Sequence, residues 1–531
     1  MKKLSLLLVV LIVLSTFASC TAVNNVFGKN YKITYDANEM VKSTTDYVDM
    51  DELPTIPEAP VVEGYVFAGW FFDKEYTSRY FFDYPLNQNT TLYAKFYDTK
   101  LGEYIVISNV DQLMAIKDAP EAKYLLARDI NCNGETLTPI TEFLGEIEGN
   151  GYRIFNFSIN EDTADAAFIR TNAGVIKNLT FDDFTYDVLI SSAGEKHYGI
   201  VCGTNNGTLE NCHTSDGVIR VDISSYNVSS TMHLGGLAGH NNGTINNCSN
   251  SAMINVSSSS SGYSSWGNVH AGYITGRVAG VCGYVAAEGK VVDCGNYANI
   301  ILKVISNSYG YSYFGISGVV ATNYGKIDRV ENLANLDIEL GNNYYVSHNV
   351  GGVVGDNYGT VSNGSTQGNI NINSNVNNAD ASHVGGFAGY NNGKLYNCYS
   401  VTNLKDTSLG FKGIGGFVGY NELKSNTESL VNKCFAMGSI ELAITPTNVG
   451  YFAGLSTGTI KDAYYADTLV INKVVKAEAD GAETTEAVTV TNTLGEAMSE
   501  GELLSINFLE NKLYFDRMVW FLVEGKLPEL R

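Results

Sequence analysis

The sequence predicts an all-β protein whose larger part is a right-handed parallel β-helix, with caps at both ends and a small β-rich domain before it. Three observations lead to this fold class. One glycine-rich sequence motif, called the phrase below, occurs nine times between residues 167 and 470. Short apolar runs alternate with Asn- and Gly-rich segments, and the chain has only 8 prolines, which would interrupt strands. Stacking of short strands from successive repeats buries such runs.

The N-terminus has the layout of an export signal. Lys2 and Lys3 form a short basic segment, and residues 4–14 are nearly all apolar. That run is too short to span a bilayer, so it is typical of a cleavable secretion signal, assigned to residues 1–19. We therefore expect the following residues to lie outside the cytoplasmic membrane.

The segment Phe17-Ala18-Ser19-Cys20 resembles the lipobox of bacterial lipoproteins, with Phe17 where leucine is usual. The resemblance implies cleavage before Cys20 and attachment of a diacylglycerol to its thiol. Acyl chains contribute about 0.8 kcal/mol per buried methylene, so two or three of them anchor a chain firmly. The expected location is the extracellular face of the cell envelope, with residues 20–29 as a tether. An ordinary secretory signal is the alternative.

Residues 30–98 have the pattern of a small separate domain. An alternating strand occupies residues 31–36, and two aromatic-rich strands lie within residues 64–96. The phrases Gly-Tyr-Val-Phe-Ala-Gly-Trp and Thr-Leu-Tyr-Ala-Lys-Phe resemble the Listeria–Bacteroides repeat, the B-repeat of internalin-type surface proteins. The resemblance implies a β-grasp-like spacer or weak binding module, with Glu39 where the family has a turn glycine. Trp70 is expected in its core.

Composition and charge restrict the partners. Charged residues make up 17% of the chain, and the formal net charge is −22. A chain this acidic repels phosphate backbones, which excludes nucleic acid as a partner. It also repels an anionic membrane surface, so it is expected to bind a membrane only through the lipid. The net negative charge results from the small number of basic residues, and we interpret it as a feature that keeps the protein soluble. The expected partners are the membrane, through the lipid, and a glycan or a surface protein, and the chain is expected to be a monomer.

The repeated phrase is clearest in residues 235–248, Gly-Gly-Leu-Ala-Gly-His-Asn-Asn-Gly-Thr-Ile-Asn-Asn-Cys, and in residues 385–398. Its glycines permit tight corners, its Asn-Asn-Gly is a turn signal because Asn and Gly tolerate positive φ, and its Ile-x-Asn-Cys is the next strand. Aligned on Gly236, the copies lie 33, 36, 44, 38, 34, 34, 30 and 35 residues apart. The phrase resembles the GLUG motif of bacterial surface and adhesin-like proteins, over residues 160–470.

Two architectures have repeats of about this length. A β-propeller needs four strands per blade, and its strands are not as short and glycine-rich as those of this repeat. A parallel β-helix needs about three short strands and three turns per coil, and the small and apolar runs suit parallel strands. We therefore predict a parallel β-helix in which the 44-residue step is a coil with an extruded loop.

Both ends of the predicted solenoid are expected to be covered, because terminal coils expose unpaired strand edges. Residues 101–159 contain a capped short helix and the first coils, and they also look like the start of pectin-lyase-like β-helices. Residues 493–531 form the C-terminal cap, with a helix from Leu494 to about Asn511 and a closing extended segment. Residues 471–492 are polar and are predicted to be a mobile loop or a hairpin.

The cysteines recur with the repeat and do not form a chemical site. One position of the repeat is shared by Cys212, Cys248, Cys294, Cys398 and Cys434, and another by Cys202 and Cys282. No Cys-x-x-Cys pair supports a zinc site. Parallel side chains on stacked strands rarely reach disulfide geometry, so buried free thiols are expected, and disulfides between coils are the alternative.

The sequence contains no known catalytic motif. It lacks His-Glu-x-x-His, Gly-x-Ser-x-Gly and a phosphate-binding loop. The zinc-binding part of the immunoglobulin-cleaving peptidases that carry GLUG-like repeats has no counterpart in it. The pair Asp182-Asp183 is interpreted as a charged pair in a turn. The scattered histidines near repeat phrases, expected on coil surfaces, are His233, His240, His348 and His383. We expect no catalytic residues, no cofactor and no metal.

The predicted function is an adhesin-like or structural surface protein that engages a glycan or a protein. A polysaccharide lyase or glycoside hydrolase on a β-helix and a scaffold without a specific ligand are the alternatives. The candidate ligand-binding residues are Tyr263, Trp266, His270 and Tyr273, which lie in the loop of the 44-residue step. The alternative for Trp266 is that it covers the apolar edge of its coil.

Overall fold

The computed structural model describes residues 30–531 except 81, 83, 162–165, 226–228, 262, 266–267, 271–272, 308–310, 341–344, 375–378, 407–410, 426–427, 444–447, 477–482, 489 and 491. The lipidation candidate Cys20 lies outside the described residues. The chain forms two compact units, one that ends at Val106 and one that starts at Ile107. Within the described residues, no helix has the length and apolar character needed to span a membrane.

The first unit is a five-stranded mixed sheet with strand order 2-1-5-3-4, in which the first and last strands pair in parallel. Its strands are Tyr31–Asp36, Thr44–Val48, Tyr65–Phe71, Arg79–Tyr80 and Thr90–Asp98, and a 3-10 helix follows at Thr99–Leu101. Trp70 is buried between the rings of Tyr35 and Phe67, which confirms its predicted core position. Glu39 adopts a φ of 65°, the left-handed conformation that the family gives to glycine.

The second unit is a parallel β-helix, which confirms the predicted fold class. Three sheets of 8, 10 and 24 strands run along it, and neighbouring coils pair in parallel. Within a coil, the chain passes through the eight-stranded sheet, turns a glycine corner into the ten-stranded sheet, and then crosses the twenty-four-stranded sheet twice.

The strands divide among the sheets as follows. The eight-stranded sheet contains Gly194–Tyr198, Ser230–Gly235, Tyr273–Ala279, Tyr311–Ser317, Tyr345–Gly351, Ala379–Gly385, Phe411–Gly415 and Asn448–Gly450. The ten-stranded sheet contains Ile140–Phe143, Ile169–Asn172, Cys202–Asn205, Ala238–Asn241, Cys282–Val285, Val320–Asn323, Val354–Asn357, Ala388–Asn391, Val418–Asn421 and Ala453–Ser456. The twenty-four-stranded sheet contains Ile105–Ile107, Lys123–Leu126, Ile130–Thr136, Glu146–Glu148, Arg153–Glu161, Val175–Ile190, Thr208–Thr214, Val218–Ser225, Thr244–Asn246, Ser249–Asn250, Met253–Ser261, Lys290–Asn296, Ile300–Asn307, Lys326–Asn332, Leu336–Leu340, Thr360–Thr366, Ile370–Ser374, Lys394–Tyr396, Tyr399–Asp406, Leu430–Leu442, Thr459–Ala466, Val470–Lys476, Glu483–Ala487 and Glu496–Met498.

Strand register reproduces the spacing of the repeat. In the ten-stranded sheet Cys202 pairs with Ala238, Ala238 with Cys282, and Cys282 with Val320. These partners are 36, 44 and 38 residues apart, the steps found between the phrases. Each phrase therefore makes one coil.

Apolar side chains from the same position of each coil stack inside the cylinder. The residue after the Gly236 position of the repeat is fully buried in successive coils, as Leu237, Val281, Val319, Val353, Phe387, Phe417 and Phe452. Gly236 cannot carry a side chain, because a Cβ there would lie 2.2 Å from the carbonyl oxygen of Gly280. The eight described cysteines are buried and free, as predicted.

Asparagine amides form a second stack at the corner that follows the ten-stranded sheet. They belong to Asn172, Asn205 and Asn241 and then to Asn323, Asn357, Asn391 and Asn421, and each Nδ2 donates to the next Oδ1 at 2.7–2.8 Å. Five of these seven are the first asparagines of Asn-Asn-Gly or Asn-Tyr-Gly phrases, and none of the seven has positive φ. These phrases do mark a corner of the chain, as predicted, but the predicted reason, positive φ, was wrong. Positive φ occurs at the asparagine of Ile-x-Asn-Cys, for example at 52° in Asn247.

The N-terminal end of the β-helix is covered by a short helix, Val110–Met114, and a 3-10 turn, Ala115–Asp118. The side chain of Asn109 caps the helix by accepting a hydrogen bond from the backbone nitrogen of Gln112. Leu113 is fully buried in the core below. The predicted capped helix is thus confirmed.

The C-terminal region differs from the single helix that was predicted. It contains two short helices, Glu500–Leu503 and Ile506–Asn511, because Ser505 caps a new helix after the first ends. The strand Glu496–Met498 precedes them, and a hairpin of Val470–Lys476 with Glu483–Ala487 lies where a loop or hairpin was expected.

The last residues lie along the flank of the coils. Trp520–Phe521 pairs antiparallel with Glu529–Leu530. The ring of Trp520 is 5.8 Å from that of Tyr399, whose hydroxyl donates to the carbonyl oxygen of Pro528 at 2.5 Å. This segment therefore covers the side of the solenoid.

Candidate functional site

A seam runs along the outside of the β-helix where the eight-stranded sheet meets the ten-stranded sheet. His233, for example, alternates with the core residues Met232 and Leu234, so it faces away from the core. The short glycine corner places a residue of one strand opposite the residue seven positions later. The pairs in contact are His197 with Thr204, His233 with His240, Arg277 with Tyr284, Asn349 with Asp356, and His383 with Tyr390.

Three histidines and a glutamate meet at the N-terminal end of the seam. His197 pairs with His233 on the next coil, and their rings stack 4.9 Å apart. The ring of His240 lies 4.8 Å from that of His197. Glu195 Oε1 is 3.2 Å from His197 Nε2 and 3.6 Å from His233 Nε2. The histidines were predicted to be scattered, and for these three that prediction is wrong. His233, which was expected on a coil surface, is buried.

Burial favours the neutral form of two imidazoles of this cluster, those of His233 and His240. Desolvation, followed by the charge of Arg277, lowers the pKa of His233, and desolvation followed by His197 lowers the pKa of His240. His233 is 2% exposed. Arg277 Nη1 donates to His233 Nε2 at 2.6 Å, whereas Nδ1 of His233 and Nδ1 of His240 are buried without a hydrogen-bond partner.

A row of aromatic rings continues along the seam. His233 stacks on Tyr284 at 4.9 Å. The tyrosine rings then follow one another at 5.6 Å, 4.6 Å, 5.7 Å and 5.9 Å, from Tyr284 through Tyr324, Tyr358 and Tyr390 to Tyr420. We call these five tyrosines the aromatic row. Tyr324 is 44% exposed, and Tyr284, Tyr358 and Tyr420 are partly exposed, whereas Tyr390 is buried at 5% exposure. Four of the five rings are therefore open to a ligand.

A buried carboxylate lies beside the aromatic row. Asp356 Oδ1 accepts a hydrogen bond from Asn349 Nδ2 at 2.6 Å, and Oδ2 accepts from the hydroxyls of Tyr313 and Thr322. Burial raises the pKa of Asp356 to about 6, against the effect of these hydrogen bonds. A Cβ at Gly315 would lie 2.6 Å from Oδ2, so glycine makes room for the carboxylate. Because both oxygens are engaged, Asp356 can hold its neighbours in place more readily than it can exchange a proton with a substrate.

The candidate binding loop of the 44-residue step is a hairpin. Tyr263–Ser265 pairs antiparallel with Asn268–His270, between strands of two different sheets. Trp266 and the side chains of Tyr263, His270 and Tyr273 lie outside the described residues. Their role in ligand binding therefore stays a prediction.

Two other expectations need correction. Asp182 and Asp183 lie within the strand Val175–Ile190 and not in a turn, and Asp182 is buried and paired with Arg153 at 2.5 Å. Asp183 is exposed and has a φ of 44°. His348 and His383 are also buried, at 0% and 6% exposure, and are not surface residues. Neither finding adds a second carboxylate to the Asp356 site.

The seam was missed because its residues are far apart in the sequence. The signal was present in the repeat, since the step of 36 residues between two phrases also separates His197 from His233. The seven-residue interval from His233 to His240 recurs between Asn349 and Asp356. Combining the two intervals would have placed the three histidines together.

Comparison with known proteins identifies the first unit. Residues 31–95 match the family described as the Listeria-Bacteroides repeat domain, so the chain contains this domain. A segment of 84 residues is 37% identical to halomucin of Haloquadratum walsbyi. That segment covers 15% of this chain and 1% of halomucin, so the chain corresponds to a very small part of that relative.

Two solved structures align with most of the chain. One is a Bacteroides ovatus protein described as a candidate immunoglobulin A1 protease, with 14% identity and a TM-score of 0.32 over 81% of this chain and 92% of that chain. The other is described as an IgA1 protease, with 12% identity and a TM-score of 0.34 over 87% of this chain and 27% of that chain. Neither likeness bears on the function of this chain.

Proposed function

We propose that the chain is a lipid-anchored, adhesin-like protein of a bacterial cell surface and that its seam binds an extended polysaccharide. The N-terminal signal and the lipobox-like segment that ends at Cys20 support export and anchoring. The Listeria-Bacteroides repeat domain supports a surface role, because this family was expected as a spacer in surface proteins. GLUG-like phrases make up the coils that carry the seam.

The observation that carries the proposal is the aromatic row. Five tyrosines from successive coils form a continuous strip parallel to the axis of the β-helix, from Tyr284 to Tyr420. A tyrosine ring offers an apolar face and a hydroxyl, which suits the apolar faces and hydroxyl groups of sugars. A linear polymer that lies along the strip can contact the four exposed rings, one on each of four coils, so that several weak contacts add up.

Polar groups beside the row provide directional contacts. Lys424 Nζ lies 5.2 Å from the Tyr390 ring and 3.2 Å from Glu422 Oε2. Such groups can fix the orientation of a sugar that the rings hold. A binding role is favoured over hydrolysis because the buried carboxylate of Asp356 is already engaged by three protein donors.

Affinity electrophoresis of the full chain through gels that contain soluble polysaccharides tests this proposal. We expect at least one polysaccharide to retard the chain. Replacing Tyr324 and Tyr358 together by Ala should weaken binding by roughly 10- to 100-fold, because buried aromatic contacts dominate binding energies. The matched control is Tyr297→Ala, since Tyr297 is 46% exposed, close to the 44% of Tyr324, and lies away from the seam.

Three results would contradict the proposal. They are the absence of retardation by every polysaccharide, an equal loss of binding in the Tyr297→Ala control, and retention of a surface protein in place of a glycan. The appearance of new reducing ends in the bound polysaccharide would instead indicate the hydrolase.

The anchor has its own test. Cys20→Ala removes the thiol that the lipid would modify, so we expect the chain to move from the membrane fraction into the medium. Fractionation and immunoblotting measure this shift. A variant that stays with the membrane would contradict lipid anchoring at Cys20 without affecting the binding proposal.

A further inference from the structure

The histidine cluster at the N-terminal end of the seam contains the donor atoms of a metal site. Glu195 and His197 come from one strand, His233 from the paired strand of the next coil, and His240 from the strand after the glycine corner. One ligand atom from each of the four residues lies within 4.8 Å of all the others. Imidazole nitrogens with a carboxylate oxygen are ligands that zinc and neighbouring transition metals prefer.

Hydrogen bonds orient two of the rings toward the cluster. His197 Nδ1 is 2.8 Å from Thr204 Oγ1, so its Nε2 faces Glu195. His240 Nε2 is 3.2 Å from Asn242 Oδ1, so the other nitrogen, Nδ1, is available and has no partner. In metal sites the second nitrogen of a ligating histidine is held in the same way by a polar group.

The spacing of the donor atoms is close to that of a tetrahedral site. A metal with bonds of about 2.05 Å to four ligands places them about 3.3 Å apart. Glu195 Oε1 lies 3.2 Å from His197 Nε2 and 3.6 Å from His233 Nε2. The widest separations, up to 4.8 Å, must close by about 1.5 Å. Side-chain rotation of the exposed Glu195 and of the partly exposed His197 and His240 can provide this, while His233 stays in place.

We propose that Glu195, His197, His233 and His240 bind a divalent transition-metal ion of the zinc class. The site does not depend on the polysaccharide proposal, because it lies before the aromatic row and uses other residues. The strand Gly194–Tyr198 is the edge strand of the eight-stranded sheet, and two of the ligands lie on it. A bound metal ties this edge strand to the coil that contains His233 and His240.

Arg277 competes with the metal for one ligand. Its Nη1 donates to His233 Nε2 at 2.6 Å, and its guanidinium lies 5.2 Å from the Tyr284 ring. A guanidinium is always protonated, so it both occupies the nitrogen and repels a cation. Metal binding therefore requires Arg277 to leave His233, and removal of the arginine should strengthen binding.

The test is equilibrium dialysis of the full chain, free of any polyhistidine tag and stripped with EDTA, against zinc chloride, with the metal measured by mass spectrometry. We expect one zinc per chain. The double variant His197→Gln with His240→Gln should bind at least roughly 100-fold more weakly, because it removes two of four ligands. His213→Gln should bind as the wild type does, since His213 bonds to Ser249 and Asn211 outside the cluster.

Arg277→Met provides a test in the opposite direction. Loss of its positive charge and of the competing hydrogen bond should tighten zinc binding by roughly tenfold. Cobalt substituted for zinc should give the visible absorption of a tetrahedral complex. The proposal is overturned if the wild type retains no zinc, if the double variant binds as well as the wild type, or if Arg277→Met binds zinc no more tightly. The Arg277→Met result tests the proposal even if the double variant does not fold, because it does not depend on that variant.

Discussion

Replacing Asn357 by Val would interrupt the buried asparagine stack at its centre. Asn357 is fully buried, accepts a hydrogen bond from Asn323 Nδ2 at 2.8 Å, and donates one to Asn391 Oδ1 at 2.7 Å. The chain already contains one such interruption, because Val285 occupies the stack position between Asn241 and Asn323. There the Asn241 amide donates to two backbone carbonyls, so valine fits the position when the neighbouring amide finds other acceptors.

The expected cost follows from the partners that Asn357 leaves behind. Each lost amide bond contributes about 0.5–1.5 kcal/mol net. Asn391 Oδ1 still accepts from the backbone nitrogen of Gly393 at 3.3 Å. Asn323 Nδ2 keeps only the carbonyl of Thr360 at 3.4 Å, and a poorly satisfied buried donor costs about 1–3 kcal/mol. The burial of valine offsets about 1 kcal/mol. The free energy of unfolding should therefore fall by about 2–4 kcal/mol.

Urea unfolding followed by far-ultraviolet circular dichroism measures this loss. The matched control is Asn403→Val, because Asn403 also donates to an asparagine on the neighbouring coil, Asn369, at 3.2 Å, but on the exposed surface. We expect the control to change the free energy by no more than about 0.5 kcal/mol. Equal losses in the two variants would refute the reasoning that burial makes the stack stabilising.

Two further predictions concern a glycine and a histidine. Gly239→Ala should destabilise the chain by about 1–3 kcal/mol in thermal unfolding, because a Cβ there would lie 2.4 Å from the backbone nitrogen of Tyr198. Gly501→Ala, with no atom within 4 Å of the added Cβ, should not, and equal effects would contradict the steric explanation. Burial lowers the pKa of His348 to about 3, so the unfolded chain binds a proton below about pH 6.5 while the folded chain does not. Stability contributed by neutral His348 is therefore present above about pH 6.5 and is lost as the pH falls toward 3, by up to about 1.4 kcal/mol per pH unit. Urea unfolding at about pH 6 and pH 4 measures how much the free energy of unfolding falls on acidification. This fall should be smaller in His348→Gln than in the wild type, and an equal fall in both would contradict the prediction.

The path of the chain could be predicted because the repeat reports it directly. A residue such as Ala238 pairs with the residue one repeat away, Cys282, even across the 44-residue step. The reason is that in six coils the glycine equivalent to Gly236 tolerates no side chain at the corner, so these coils turn at the same place. The position of a residue within its repeat therefore predicts its position around the β-helix.

The finer structure could not be predicted in the same way. The first asparagine of Asn-Asn-Gly looked like a turn residue, whereas Asn241 uses its amide in a buried stack and Asn247 takes the positive φ. Propensity describes one residue at a time, and a stack of amides depends on neighbouring coils. The C-terminal helix was predicted as one because helical propensity does not show that Ser505 starts a second helix.

The candidate site was the least predictable part. The expectation rested on the loop around Trp266, because loops on rigid scaffolds often carry function. The seam instead joins residues from separate coils, such as His197 with His233, and residues seven apart, such as His233 with His240. Only strand register combined with the corner geometry brings these side chains together.

The most direct test of the seam as the binding surface is a crystal structure of the full chain with an oligosaccharide from the polysaccharide that binds best. We expect sugar density along the aromatic row, with the exposed rings of Tyr284, Tyr324, Tyr358 and Tyr420 in contact with sugar units. Density confined to the hairpin of residues 263–270 or to the twenty-four-stranded sheet, with no sugar in the seam, would contradict the assignment.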